Sequence, residues 1–178
     1  IDFDAHDEIL DLEVGAIVVA TGMDVYDPRQ NDEYGYTRFP NVVTSMEFER
    51  LINAGGPTDG ELVRPSDGRV PKRIGFIQCV GSRDSGCGND YCSSVCCMAA
   101  TKEAILAKEH EPGLEVTVFV LDVRAFGKDF DRYVERAERL GVKFVRSFVS
   151  RTYELPDTHS LRVTFVDAAQ RRIEEEFD

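Results

Sequence analysis

The feature that most limits what this chain can fold into is a hydrophobic period that switches back and forth across residues 73–150. Arg73 to Val80 is an apolar run of strand length, and Cys92 to about Glu109 has helical spacing. Glu115 to Val123 is apolar again, Asp129 to Leu140 reads as a second helix stopped by Gly141, and Val142 to Ser150 reads as a third strand. Strand, helix, strand, helix, strand predicts an α/β fold with a Rossmann-like parallel sheet built on a βαβαβ core. Leu161 to Val166 and Arg171 to Phe177 flank the turn residues Asp167 to Gln170, so they predict an added antiparallel pair. Upstream, Gly15 to Gly22 (GAIVVATG) has the composition of a buried strand, and residues 23–41 read as loop. Thr44 with Glu47 three positions on is a capping box opening a helix to about Asn53. Ala54 to Lys72, with four Gly and three Pro, is a long irregular connection.

Composition removes several function classes. The 178 residues are 42% hydrophobic and 30% charged, which suits a globular chain with a real core. No apolar run approaches the roughly 20 residues of a membrane-spanning helix. A net charge of −12 argues against nucleic acid as a partner through a basic surface. Ile1 to Leu10 lacks the basic flank and apolar stretch of a secretory leader, both ends read as cut from a longer protein, and a reducing cytoplasm is the expected setting.

Five cysteines stand close together: Cys79, Cys87, Cys92, Cys96 and Cys97. Their number is odd and their placement local, unlike a secreted disulfide framework. Cys79 is expected to end the first strand of the βαβαβ unit, and Cys92, Cys96 and Cys97 to sit on the first turns of the next helix. Ligands of open α/β sheets gather outside the carboxyl ends of strands, and a helix N-terminus favours thiolates. On a continuous helix Cys92 and Cys96 share a face, while Cys97 is rotated about 100°. No Cys-x-x-Cys is present, so a compact zinc site is disfavoured, and an iron–sulfur cluster tolerates the spread better. Zinc, a redox disulfide of Cys92 with Cys96 or Cys97, and inert buried thiols stay open on the residues alone. Cys87, in a flexible Ser-Gly-Cys-Gly loop, reads as a surface thiol.

Lys102 falls at the centre of an apolar stripe formed by Val95, Met98, Ala99, Ile105 and Leu106, away from Glu103 and Glu109. A buried ammonium needs an anionic or electron-rich partner, so Lys102 is expected either to face a cofactor or to snorkel to water. The first strand is followed by Gly81-Ser82-Arg83 rather than a Gly-x-Gly-x-x-Gly fingerprint, which gives a nicotinamide site no support. Gly81, Ser82 and Arg83, with Arg124, Gly127 and Lys128 after the second strand, remain cofactor-contact candidates at the sheet rim. A charged strand-to-helix turn explains Arg124 to Lys128 equally well.

Five strings together resemble the A-type flavoprotein of the heterodisulfide reductase family and its homologues in quinone-interacting membrane-bound oxidoreductases. They are GAIVVATG (15–22), NVVTSMEFER (41–50), IGFIQCVGSRD (74–84), YCSSVCCM (91–98) and DVRAFGK (122–128). The resemblance implies a thioredoxin-reductase-like flavoprotein, with residues 1–72 an edge of its flavin domain plus linker and residues 73–178 its nicotinamide-type domain. It implies a [4Fe–4S] cluster on Cys79, Cys92, Cys96 and Cys97, with Cys87 outside. It implies that Lys102 lies close to the ring of FAD and that Ala20-Thr21-Gly22 marks the return of the chain past that flavin. Electron bifurcation, and partnership with the other subunits, ferredoxin or hydrogenase-type carriers, are what such a family member would show. The family's amino-terminal flavin fingerprint is missing, so the piece alone is expected to hold FAD weakly or not at all and to be inactive. Two other functions remain possible on the residues: a flavin-dependent disulfide reductase cycling Cys92 and Cys96, or a zinc-stabilised docking module.

Overall fold

A single strand with two buried faces organises the molecule. The computed structural model describes residues 6–178, and within it Glu115–Val120 (β2) lies between Arg73–Ile77 (β1) and Lys143–Arg146 (β3), parallel to both. Ser45–Leu51 (α1), Cys96–His110 (α2) and Phe130–Arg139 (α3) are the helices. Because β1, β2 and β3 follow one another in a single direction across the sheet, right-handed crossovers put α2 and α3 on one face. Val116, Val118 and Val120 point at that face and pack with Ala100, Ala104, Ile105 and Ala137; α1 joins through Phe48, whose ring meets Phe76 edge-on at 5.3 Å.

The opposite face is covered by strands instead of helices. Val149–Glu154 (β4), Leu161–Val166 (β5) and Arg172–Phe177 (β6) form an antiparallel sheet in that order. Phe119, pointing away from the helices, packs on Phe165 at 4.9 Å and Phe177 at 5.8 Å, with Tyr34, Val149 and Val163 around them. Gly75 fits beneath this contact, since a Cβ there would stand 3.3 Å from the Phe177 ring. The βαβαβ order is therefore present, while a second layer of helices is replaced by a sheet.

Several expectations are corrected. Gly15–Gly22 pairs with no strand among the described residues, and Ile17, Val18 and Val19 are exposed; an apolar run becomes a strand only where an edge accepts its backbone hydrogen bonds. The expected third strand, Val142–Ser150, is two strands in two sheets: Ser147 turns the chain, its Oγ donating to the Val166 carbonyl at 2.7 Å. The closing pair gains β4 and is three-stranded. Residues 1–5 of the expected 1–72 unit lie outside the described residues.

The apolar stripe assigned to α2 is also rotated. Its buried face carries Cys97, Ala100, Thr101, Ala104 and Ile105, whose small side chains admit close approach to the sheet, and Glu103 and Ala107 are buried beside them. Lys102 stands exposed and pairs with Glu49 of α1 at 2.5 Å. Glu103 is instead the buried ionisable group, 3% exposed, with Oε1 accepting from Ser45 Oγ at 2.5 Å and Oε2 without a partner. Burial pushes its pKa up to about 7; Glu49 pushes the same way, and the Ser45 hydrogen bond and Lys102 oppose. A raised carboxyl favours the folded state while protonated, so this contribution is lost as pH climbs from the ordinary 4.5 through about 7. Glu103→Gln should raise stability at pH 8 by about 1–3 kcal/mol and leave it nearly unchanged at pH 4.5. Thermal midpoints at the two pH values check this, and an equal gain at both would refute it.

Candidate metal centre

Three segments meet at the carboxyl ends of β1 and β2: residues 79–84, residues 89–97 leading into α2, and residues 122–124. The β1–β2 ladder delivers the first, because Gln78 N–H donates to the Phe119 carbonyl at 3.0 Å immediately before Cys79 leaves the sheet. Ser82 joins the first two: its Oγ donates to the Tyr91 carbonyl at 3.1 Å and accepts from Ser93 N–H at 3.0 Å. Asp84 N–H adds a bond to the Asn89 carbonyl at 2.8 Å.

α2 begins at Cys96, so Cys92 lies in the preceding loop and shares no helical face with Cys96, contrary to the expectation from spacing. The helix is interrupted there by Ser94, whose φ is 65°; Cys79 (62°) and Arg83 (57°) are left-handed too. Each such non-glycine residue costs on the order of 1–3 kcal/mol and marks a segment held by its surroundings.

The Cys79 and Cys97 thiols beside Cys96, with Ser93 and the Cys79 backbone N–H, favour the Cys96 thiolate and hold its pKa well below the usual thiol range against the effect of burial. The Cys79 and Cys97 thiols are pushed up, chiefly by the neighbouring Cys96 sulfur and then by burial. Cys97 Sγ also faces the Asp122 carbonyl at 3.8 Å. Cys92, whose Sγ accepts Ser94 N–H at 3.4 Å, acts electrostatically on Cys97 and on Arg83. The first turn of α2 has no side-chain cap, so its orphan N–H groups are available to negative sulfur. Among the described residues no group of three or more His, Cys, Asp or Glu is placed to hold a metal ion.

Cys87 stands with other partners: Tyr26 Oη at 3.1 Å and Asp84 Oδ2 at 3.3 Å. The Tyr26 ring lies against Gly81, whose φ is +66° and where a Cβ would come within 2.3 Å of the ring. Gly81 is thus a packing position under Tyr26, and Gly127 is likewise faced by the Phe130 ring. Arg83 and Arg124 both pair with Asp122, and Lys128 is exposed. Ala20, Thr21 and Gly22 are exposed, and no hydrogen bond among the described residues joins them to Lys102. Asp122, Arg146 and Tyr26 escaped the residue-type reading: isolated residues in loops and strand ends carry no spacing signal, although Asp122 does head the DVRAFGK string.

An α/β domain that carries cysteines on the loops and helix start at the rim of its parallel sheet places them where such folds hold ligands. Comparison with known proteins makes the class particular. The chain is 52% identical over 168 residues to the second A-type iron-sulfur subunit of the CoB–CoM heterodisulfide reductase of Methanopyrus kandleri, covering 94% of this chain and 26% of that protein. It is 52% identical over 155 residues to the A-type subunit of the H2:CoB–CoM heterodisulfide, ferredoxin reductase of Methanothermobacter marburgensis, covering 86% and 24%. Against the A-type subunit of the ferredoxin/F420H2-dependent CoB–CoM heterodisulfide reductase of Methanosarcina acetivorans it is 42% identical over 176 residues, covering 99% and 22%. The chain belongs to the family of A-type heterodisulfide reductase subunits and spans about a quarter of the length of these curated relatives. No family model matches it.

Proposed function

We propose that this chain is the cysteine-bearing domain of a multi-subunit oxidoreductase, with Cys79, Cys92, Cys96 and Cys97 holding a [4Fe–4S] cluster that works beside FAD. The observation that carries the reading is that Cys79 leaves the carboxyl end of β1, Cys92 lies in the loop before α2, and Cys96 and Cys97 open that helix at an uncapped N-terminus. The donor set fits in kind: thiolates are iron–sulfur ligands, and the four come from the loop after β1, the loop before α2 and the first turn of α2. Such a cluster, when bound, supplies one-electron storage to a flavin that takes two electrons. The residues here position and polarise. Ser82 and the Gln78–Phe119 bond fix the ligand loops, and the Arg83 guanidinium sets positive charge near Cys79 and Cys92. Lys102, on the α2 surface beyond Cys97, is the residue we assign to the flavin ring, with Glu49 as its resting partner. FAD's remaining walls would come from outside this chain, as would the other heterodisulfide reductase subunits and the ferredoxin or hydrogenase-type carriers that exchange electrons with it.

Metal and sulfide analysis after anaerobic purification tests this reading. About four irons with matching acid-labile sulfide per chain are expected. Stoichiometric zinc would replace the proposal with a docking module, and neither metal with a reducible Cys92–Cys96 disulfide would replace it with a dithiol reductase.

A further inference from the structure

We propose that the cleft beside the cysteine centre is a binding site for a phosphate ester, gripped by Arg83 and Arg146. Arg83, Leu121, Asp122, Arg146 and Ser147 line a cleft of about 420 Å³. All three segments that leave the parallel strands contribute to it: Arg83 follows β1, Leu121 and Asp122 follow β2, and Arg146 with Ser147 closes β3. That is the crevice in which open α/β sheets hold ligands.

Its charge runs against the rest of the molecule. In a chain of net −12, two guanidinium groups here face one carboxylate, and that carboxylate, Asp122, is also bound by Arg124 at 2.8 Å. Asp122 is therefore oversubscribed by cations. Arg146 has no carboxylate partner among the described residues. Its one side-chain hydrogen bond among the described residues runs from Nε to the Leu121 carbonyl at 3.0 Å, which anchors the side chain at the cleft and leaves both terminal nitrogens to bind. Guanidinium forks match phosphoryl oxygens in pairs, and two of them suit a doubly charged group better than a lone carboxylate. Phe126 and Phe148, 71% and 53% exposed, stand on the loops after β2 and β3, as surfaces on which a base could stack.

The site shares Arg83 and Asp122 with the rim of the cysteine centre, and is tested without a redox measurement. Calorimetric titration of the purified protein with inorganic phosphate, pyrophosphate and ADP should show saturable one-to-one binding of pyrophosphate or ADP below about 1 mM. Arg146→Gln should weaken it about tenfold or more, with Arg146→Lys intermediate, because a lysine keeps the charge and loses the fork. Arg146 is exposed, so circular dichroism matching the parent protein confirms that the variants are folded. Equal affinity for pyrophosphate and ADP identifies the phosphoryl group as the whole determinant. Tighter ADP binding that Phe148→Ala reduces identifies a nucleotide. No saturation by any of the three at about 5 mM, or unchanged binding in Arg146→Gln, overturns the site.

Discussion

Cys97→Ser should strip the protein of iron while leaving it folded. The substitution removes one sulfur and changes little else, since a serine hydroxyl can still face the Asp122 carbonyl that Cys97 Sγ now meets at 3.8 Å. Cys97 is buried on the helix face that packs against the sheet, so the space stays filled. A neutral hydroxyl does not replace a soft thiolate on iron, so a four-thiolate cluster loses an anchor and its occupancy should fall about tenfold or more. Cys87→Ser is the matched control: its partners are Tyr26 and Asp84, and iron content should be unchanged. Full iron in Cys97→Ser, or equal loss in Cys87→Ser, would sink the ligand assignment. The same variant separates the dithiol alternative, because a Cys92–Cys96 disulfide would survive it.

The meeting of the cysteine-bearing segments at one sheet rim was legible in the sequence through topology more than through spacing. A strand ending at Cys79 and a helix beginning near Cys96 are both visible as hydrophobic periods, and the rule for strand ends brings them together. What helical spacing could not show is the break at Ser94: a left-handed residue in Cys-Ser-Ser-Val-Cys takes Cys92 off the helix, and nothing about a serine announces it. The exchange of Lys102 and Glu103 has a similar origin. Two candidate faces of α2 differ by 100° per residue, and the sheet selects the alanine-rich one because it allows closer packing. Gly15–Gly22 has strand composition, but composition does not name the edge that would receive it. Arg146 is a single residue at a strand end, and becomes a site candidate only once three strand ends lie side by side.

The largest loss of stability should come from Phe119→Ala, at about 3–5 kcal/mol. Phe119 is 1% exposed, at the centre of the layer between the parallel and antiparallel sheets, against Phe165 and Phe177. Removing the ring deletes both aromatic contacts and leaves a void that cannot collapse, because its neighbours belong to two hydrogen-bonded sheets. Phe119→Leu refills most of that volume and should cost about 1–2 kcal/mol. Urea unfolding monitored by circular dichroism would order them parent, Leu, Ala with similar slopes. An alanine variant within about 1 kcal/mol of the parent would mean that the two sheets do not share this core. The effect should also reach the thiols. The Phe119 carbonyl receives Gln78 N–H one residue before Cys79 leaves β1, so loosening β2 loosens the position from which that sulfur approaches Cys96. Thiol-labelling of Cys79 should therefore accelerate in Phe119→Ala under conditions where the protein is still folded, while that of Cys87, held by Tyr26 and Asp84, changes less.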